Sequence, residues 1–205
     1  MSATNDESGP VYGELLESAL RVAAIAHREQ VRKGGNVPYF AHSAAVALIL
    51  ARTGFTDEAL LAAAVLHDVV EDTDVTLEGL ASDFPSAVVD AVAALSEEKD
   101  DAEGKLRPWE DRKAEHLSQI ASASQSARAI ALADKLHNLE TLRSDLAAGV
   151  ISLSAFRAPP ERLLWYYESM INAAAGNDES LRTLADGCRE SWKRLRDLLM
   201  SGENP

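Results

Sequence analysis

Residues 62–76 read AAAVLHDVVEDTDVT, a run of small apolar residues that leads into a His-Asp pair and then, four residues further on, a Glu-Asp pair. If this run is helical, Glu71 lies one turn beyond His67. Asp72 lies one turn beyond Asp68 in the same way, so two potential metal ligands and two potential acid or base groups share one surface. Such side chains are costly to place beside an apolar segment unless a cation or a solvated pocket receives them. The stretch therefore predicts a helix that carries a metal-dependent hydrolase site.

The composition predicts an all-α fold. Of the 205 residues, 46% are hydrophobic and only 5% are aromatic, and the apolar set is rich in alanine and leucine, which favour helices. A chain of this length can bury one sizeable core. No stretch shows the two-residue alternation that is typical of a half-buried strand. We expect a compact single-domain helical bundle.

The charge of the chain restricts its partners. The formal net charge is −13, which argues against a nucleic acid polymer because binding to a phosphate backbone relies on clustered lysine and arginine. A small anionic substrate is compatible with this charge if local cations and a metal ion offset the negative field. The oligomeric state stays open, and a homo-oligomer is one alternative.

Cysteine usage and apolar runs bear on the compartment. The single cysteine, Cys188, excludes an internal disulfide and fits a reducing compartment, and we interpret it as a structural thiol. The first ten residues, MSATNDESGP, lack the apolar core of a signal peptide, and no later apolar run reaches the length of a membrane span. We therefore expect a cytoplasmic protein without a membrane partner.

Helical periodicity and breakers give the expected organisation. We expect a disordered lead over residues 1–10 and one domain over residues 11–200. Thr56 or Asp57 should cap the helix that carries the His-Asp pair, and the charged stretch 97–108, EEKDDAEGKLRP, should be a mobile loop. The other predicted helices cover about residues 11–31, 41–51, 77–82, 86–95, 108–121, 126–143 and 179–199, with a further helix opened by Pro159 and Pro160.

Two further residues complete a ligand set. His42 opens a predicted helix after PYFA, and Asp134 lies in LADKLHNL on a strongly apolar helix. Two imidazoles and two carboxylates from three helices can meet at one ion inside a bundle, with coordination positions left for water or substrate. A mixed nitrogen and oxygen set suits manganese, iron, zinc or nickel. Asn138, one turn beyond Asp134, should place its amide beside the ion.

Three motifs occur in a fixed order along the chain. They read AHREQVRKGGNVPYFAH, then LLAAAVLHDVVEDTDVT, then ARAIALADKLHNLETL. With these motifs the chain resembles the HD-domain metallohydrolases, and within them the alarmone-hydrolase domain of the RelA/SpoT family, over about residues 20–145. No segment resembles the synthetase or regulatory domains of longer members. We therefore expect a small stand-alone hydrolase of the metazoan SpoT homologue type, with C-terminal helices over residues 159–199 that pack on the motif core.

The resemblance implies an activity and assigns roles to residues. It implies a divalent metal ion, manganese in this family, with ligands at His42, His67, Asp68 and Asp134. It implies a catalytic pair at Glu71 and Asp72, and nucleotide contacts at Arg32, Lys33, Asn138 and Thr141. Domains of this kind act on guanosine tetra- or pentaphosphate, the alarmones of the stringent response. They remove the 3′-pyrophosphate, releasing GDP or GTP.

Metal chemistry agrees with this assignment. A divalent ion lowers the pKa of its bound water and stabilises charge that develops on a phosphoryl oxygen. Glu71 would orient or deprotonate the water, and Asp72 would assist proton transfer to the leaving oxygen, although the two roles are open to exchange. Arg32 and Lys33 would offset charge on the transferred group.

Two departures from the family pattern keep rival functions open. The basic loop RKGGNVPY is one residue longer than usual, and Glu140 stands where an arginine is usual. Reversing a charge near a polyanionic substrate can alter affinity or substrate choice. The rival is an HD-domain phosphatase that acts on another nucleotide or on a phosphorylated dinucleotide cofactor such as NADPH. A sensor that binds a nucleotide without turnover is disfavoured by the Glu71-Asp72 pair.

The remaining histidines and the late aromatic residues have structural interpretations. We interpret His27 as a core or supporting histidine, His137 as a packing residue and His116 as a surface residue. The aromatic run at residues 165–167 should close the bundle core, and the alternative is an aromatic wall for a nucleotide base.

Overall fold

The structure is a computed structural model that describes residues 12–101, 103–152 and 159–200. None of these residues lies in a β-strand, and isolated bridges join Val31 to Pro38 and Asp100 to Leu106. The α-helices are α1 Glu14–Ala26, α2 Phe40–Arg52, α3 Glu58–Leu66, α4 Val69–Asp72, α5 Leu77–Asp83, α6 Ser86–Leu95, α7 Trp109–Ser122, α8 Gln125–Ala147, α9 Pro160–Ala175 and α10 Arg182–Met200. The prediction of an all-α fold is confirmed. The lead predicted over residues 1–10 lies outside the described residues.

Helix α3 forms the centre of the bundle. Asp57 caps it by accepting a hydrogen bond from the Leu60 backbone N–H at 2.8 Å, as predicted. The helix packs against α1, α2, α6 and α8, and its three consecutive alanines, residues 62–64, are fully buried. Small side chains allow neighbouring helices to approach closely on every face. The C-terminal end of α3 therefore lies inside the protein.

The chain does not continue as one helix through the His-Asp pair. Helix α3 ends at Leu66, His67 and Asp68 form a turn, and the short helix α4 follows. The expectation of one helix through the Glu-Asp pair is therefore wrong. The His67 Nδ1 atom lies 2.8 Å from the Ala64 carbonyl oxygen, which is the acceptor that a continuing helix would use for the next backbone N–H.

Helix α8 is the longest element of the described chain and carries one wall of the site. It begins at a Ser124 cap, whose side chain accepts a hydrogen bond from the Ala127 N–H, and it runs to Ala147, past the predicted end near residue 143. It packs against α2 on one side and against α9 and α10 on the other. Cys188 on α10 is buried and donates from Sγ to the Leu132 carbonyl at 3.1 Å, in agreement with a structural thiol.

The C-terminal helices have the predicted signals at their ends. Pro160 is the first residue of α9, after Pro159 as the cap, and a 3₁₀ turn at Glu179–Leu181 precedes α10. Within the described residues, no helix combines the length and apolar character that crossing a membrane requires.

The charged stretch 97–108 connects α6 to α7 as predicted, but it begins inside the protein. Glu97 is only 7% exposed and forms ion pairs with Arg112 and Lys113 on α7. A buried carboxylate needs such partners because an isolated charge is strongly disfavoured in the interior. The start of this loop is thereby tied to the bundle, next to the Glu-Asp pair of α4.

Candidate metal centre and adjoining cavity

Three helices deliver side chains to one buried point. His42 lies in the first turn of α2, His67 follows the last residue of α3, and Asp134 lies midway along α8. All three are buried, and each offers one ligand atom within 4.8 Å of the others. The structure therefore brings together the three elements that the sequence predicted would meet.

Asp68 completes the predicted set of four. Its Oδ2 atom lies 2.9 Å from the His67 Nε2 atom and 3.4 Å from the His42 Nε2 atom. The same oxygen accepts a hydrogen bond from the Tyr39 hydroxyl at 2.6 Å. Asp134 approaches from the opposite helix, with Oδ1 3.2 Å from the His42 Nε2 atom. The arrangement has two nitrogen and two carboxylate donors around one point.

The donor atoms fit a divalent cation. Within the described residues, the buried Nε2 atoms of His42 and His67 face carboxylate oxygens but make no hydrogen bond of standard geometry. When the other ring nitrogen of His67 donates to Ala64, its Nε2 lone pair is left to face the carboxylates. Burial lowers the pKa of His67, but the negative charges of Asp68 and Asp134 outweigh it and raise this pKa to about 9. The negative potential that favours a protonated His67 also favours a metal cation at this point. Carboxylates and imidazoles are common ligands of divalent metal ions.

Neighbouring side chains orient these donors. The Lys135 ammonium lies 2.5 Å from Asp134 Oδ2, and the Asn138 side-chain amide donates to Asp134 Oδ1. The Nδ1 atoms of His42 and His137 are 2.8 Å apart, so one ring donates to the other. His137 thus supports a candidate ligand rather than only packing. Sequence reasoning missed Lys135, although its position next to Asp134 in LADKLHN was a signal.

The predicted acid pair lies beside this centre on α4. Burial raises the pKa of Glu71, whose Oε2 atom accepts a hydrogen bond from the Glu97 backbone N–H at 3.2 Å. Lys99 contacts both carboxylates, at 3.2 Å from Glu71 Oε1 and 2.9 Å from Asp72 Oδ1. Sequence reasoning missed Lys99 because a lysine in a charged loop carries no signal of the helix that it contacts.

A cavity of about 610 Å³ opens next to the acid pair. Its volume falls in the range of small-molecule sites. Four residues predicted to contact nucleotide and one predicted catalytic residue line it, namely Arg32, Lys33, Asn138, Thr141 and Asp72. The Arg32 guanidinium donates to Asn138 Oδ1 at 2.7 Å and to Thr141 Oγ1 at 3.4 Å. The basic loop and α8 therefore form one polar wall.

The departure at Glu140 does not face this cavity. Its carboxylate accepts hydrogen bonds from Ser191 on α10 at 2.5 Å and from Arg143 at 3.0 Å. The Glu140 side chain therefore links α8 to α10. The reversed charge gives no reason to doubt an anionic substrate.

The structure supports some of the interpretations of the remaining histidines and aromatic residues and contradicts others. His27 is buried and its ring lies 4.7 Å from the ring of Tyr39, as expected for a core histidine. His116 is buried, so its prediction as a surface residue is wrong, because the face of α7 that carries it packs towards Tyr166. Tyr166 is buried in the core as preferred, whereas Tyr167 lines the cavity and fits the alternative of an aromatic wall. Trp165 is exposed and does not line the cavity, so its predicted place in the core is wrong.

Comparison with known proteins agrees with this fold. A family model described as the HD domain matches residues 19–152. The chain therefore belongs to the HD-domain family.

Individual relatives within this family point to one group of hydrolases. Human MESH1, a guanosine-3′,5′-bis(diphosphate) 3′-pyrophosphohydrolase, is 39% identical over 193 residues, covering 91% of this chain and 97% of that protein. Mouse MESH1 is 39% identical over 136 residues, covering 65% of this chain and 72% of that protein. The solved structure of a metazoan SpoT orthologue that hydrolyses ppGpp matches with a TM-score of 0.73 and 28% identity, over 91% of this chain and 98% of that one. The resemblance drawn from the three motifs is confirmed.

Proposed function

We propose that this protein removes the 3′-pyrophosphate from guanosine tetra- or pentaphosphate and releases GDP or GTP and pyrophosphate. One observation carries the proposal. Two buried histidines, the buried Asp134 and the partly buried Asp68 lie together beside a Glu-Asp pair and a cavity with a basic wall. The activity named for the MESH1 relatives supports the same substrate.

The proposed metal ligands are His42, His67, Asp68 and Asp134. A divalent ion held by these residues, which we propose to be manganese, would supply Lewis acidity and lower the pKa of a nearby water molecule. The mixed nitrogen and oxygen donor set suits manganese as well as iron, zinc or nickel, and the choice of manganese rests on the resemblance to the alarmone-hydrolase family. Lys135 and Asn138 hold the Asp134 carboxylate in place for this role.

Proton transfer is assigned to the acid pair. Glu71 is the better general base, because its raised pKa brings it closer to the range in which a carboxylate accepts a proton from water. Attack forms a bond from the water oxygen to phosphorus and breaks the bond from phosphorus to the ribose 3′-oxygen. The leaving 3′-oxygen then receives a proton, and Asp72, which borders the cavity, assists that step.

The cations of the site bind the phosphate groups. Arg32 and Lys33 line the cavity, and Lys99 lies between the two acidic residues. These charges offset the negative charge of the substrate within a protein whose net charge is −13. Asn138 and Thr141 bind the nucleotide through their polar groups and also orient Arg32. We propose a cytoplasmic enzyme with a small nucleotide partner and without a nucleic acid polymer or a membrane partner.

The released product tests the proposal. Manganese-loaded protein is incubated separately with guanosine tetraphosphate, GTP and NADPH, and the released phosphate species are identified. Pyrophosphate from the tetraphosphate alone is the expected result. Orthophosphate from NADPH or GTP would instead support the phosphatase alternative, and binding without release would support a sensor. The Asp68→Ala variant should lose turnover, and retained activity would refute the metal assignment.

A further inference from the structure

Asp145 is an acidic residue in the wall of a cavity proposed to bind an anion. It lines the cavity together with Arg32 and Lys33, and it is half-buried. It lies in the last turn of α8, where the helix dipole disfavours negative charge, and that turn contains no basic residue. The helix end disfavours the carboxylate, and a ligand that donates hydrogen bonds to it would offset that effect.

The helix geometry separates Asp145 from the reacting end. Asn138, Thr141, Leu142 and Asp145 follow one another at helical spacing along the cavity face of α8. Asp145 lies eleven residues beyond Asp134, or about 16 Å along a straight helix axis at 1.5 Å per residue. A nucleotide whose 3′-phosphates lie at the metal end therefore extends its ribose and base towards Asp145.

The walls near Asp145 suit a planar base. Leu142 and Ile151 contribute apolar surface beside Asp145, and Tyr167 lines the same cavity on the side of Arg32 and Asp134. The backbone is fixed here, because the Asp145 carbonyl accepts a hydrogen bond from the Val150 N–H at 2.9 Å. A carboxylate at this position repels phosphate but matches a pair of adjacent N–H donors.

We infer that Asp145 is the specificity-determining residue for guanine, accepting hydrogen bonds from the N1–H and the 2-amino group of the base. This inference rests on the proposed function. Guanine is the common purine that presents two adjacent donors on one edge, whereas the corresponding edge of adenine presents an acceptor beside a donor. Two carboxylate oxygens therefore favour guanine over adenine.

A change of base preference is the decisive test. The side chain of the Asp145→Asn variant offers one acceptor and one donor, which match the N1–H and the 2-oxo group of xanthine. Wild type, Asp145→Asn and Asp145→Ala are compared on guanosine tetraphosphate and its xanthosine counterpart by pyrophosphate release. Asp90→Asn, a change of an exposed aspartate on α6, is the matched control.

We expect wild type and the control to favour the guanosine substrate, and Asp145→Asn to shift the kcat/KM ratio towards xanthosine by roughly ten- to hundredfold, as for a bidentate base contact. Asp145→Ala should lose guanosine activity without gaining xanthosine activity. An unchanged ratio in Asp145→Asn, or an equal loss on both substrates, would overturn the inference, since a contact to ribose or a counter-ion role predicts that result. Wild type that releases no pyrophosphate from either substrate would instead refute the proposed function, and with it the inference.

Discussion

The Lys99 ammonium lies 3.2 Å from the Glu71 carboxylate and donates a hydrogen bond to the Glu71 backbone carbonyl at 3.1 Å. Burial raises the pKa of Glu71, and the positive charge of Lys99 opposes that rise. A proton acceptor of this kind must be ionised in order to act. Lys99 therefore keeps the proposed base in its working form within a partly desolvated site.

Replacing Lys99 with methionine should shift the pH dependence of the reaction. Without the cation, the pKa of Glu71 rises further, so the acidic limb of the kcat/KM profile moves to higher pH. Activity at neutral pH should fall by roughly ten- to a hundredfold, since a phosphate contact is lost as well. Lys105→Met, an exposed lysine of the same loop, is the control. A profile that keeps its acidic limb unchanged would contradict this role of Lys99.

The basic loop depends on a close contact at Gly34. Its φ angle is +80°, and a Cβ atom added there would lie 1.8 Å from the Cγ2 atom of Ile151. Gly34→Ala therefore forces both a strained backbone and a movement of the loop that carries Arg32 and Lys33. We expect KM to rise about tenfold, with a smaller effect on kcat.

Gly35 provides a control for this prediction within the same loop. It has no positive φ, and the nearest atom to an added Cβ is the Val37 nitrogen at 3.9 Å. Gly35→Ala should leave steady-state KM within about twofold of wild type. Adding Ile151→Ala to Gly34→Ala should restore part of the lost affinity, because the 1.8 Å clash with Cγ2 is removed, while the 3.2 Å contact with the residue-151 Cβ atom and the φ strain remain. Equal effects of the two single glycine variants would show that the contact with Ile151 has no special role.

Metal removal should weaken the fold as well as abolish activity. His42 lies on α2 and His67 directly follows α3, and their buried Nε2 atoms face the same carboxylates, so an ion that joins them stabilises the folded state alone. A metal present at about a thousand times its Kd would add about 4 kcal/mol. Thermal unfolding of wild type should shift to lower temperature on chelation, while His42→Gln should be insensitive to the chelator. An equal response of both proteins would place the ion elsewhere.

Local patterns predicted the parts of the site that lie on regular helices. The buried alanines at residues 62–64 mark a central helix, and Asn138 reaches Asp134 because residues four apart share a helix face. The turn at His67 and Asp68 was not predictable in this way. It depends on a side chain bonding to a backbone carbonyl, which apolar periodicity does not encode.

Contacts between distant segments were also outside the reach of the sequence. Glu97 and Lys99 look like members of a solvated run, yet Glu97 is buried against α7 and Lys99 contacts α4. Composition describes only the average environment of a stretch. These two side chains are less exposed than that average because α4 and α7 both pack against the loop. His116 was misassigned for the same reason, as its environment is set by α9 and the loop rather than by its own helix.

His116 should make the protein less stable in mild acid. Burial, assisted by the charge of Lys135, lowers the pKa of His116 to about 4, below the value of 6.5 expected in the unfolded chain. The unfolded state then binds the proton more readily, so the stabilisation is complete above pH 6.5 and is lost as the pH falls towards 4. Between pH 7 and pH 5 this single group should lower the free energy of unfolding by about 2 kcal/mol.

The contribution of His116 can be isolated by comparing wild type with His116→Gln, which keeps a polar side chain next to Tyr166 but does not titrate. The free energy of unfolding of both metal-loaded proteins is measured in urea at pH 7 and pH 5. His137, whose pKa burial also lowers to about 4, contributes equally to both proteins and cancels. The wild type should lose about 2 kcal/mol more than the variant over this interval. Parallel losses in the two proteins would mean that His116 becomes protonated in the folded state as readily as in the unfolded chain.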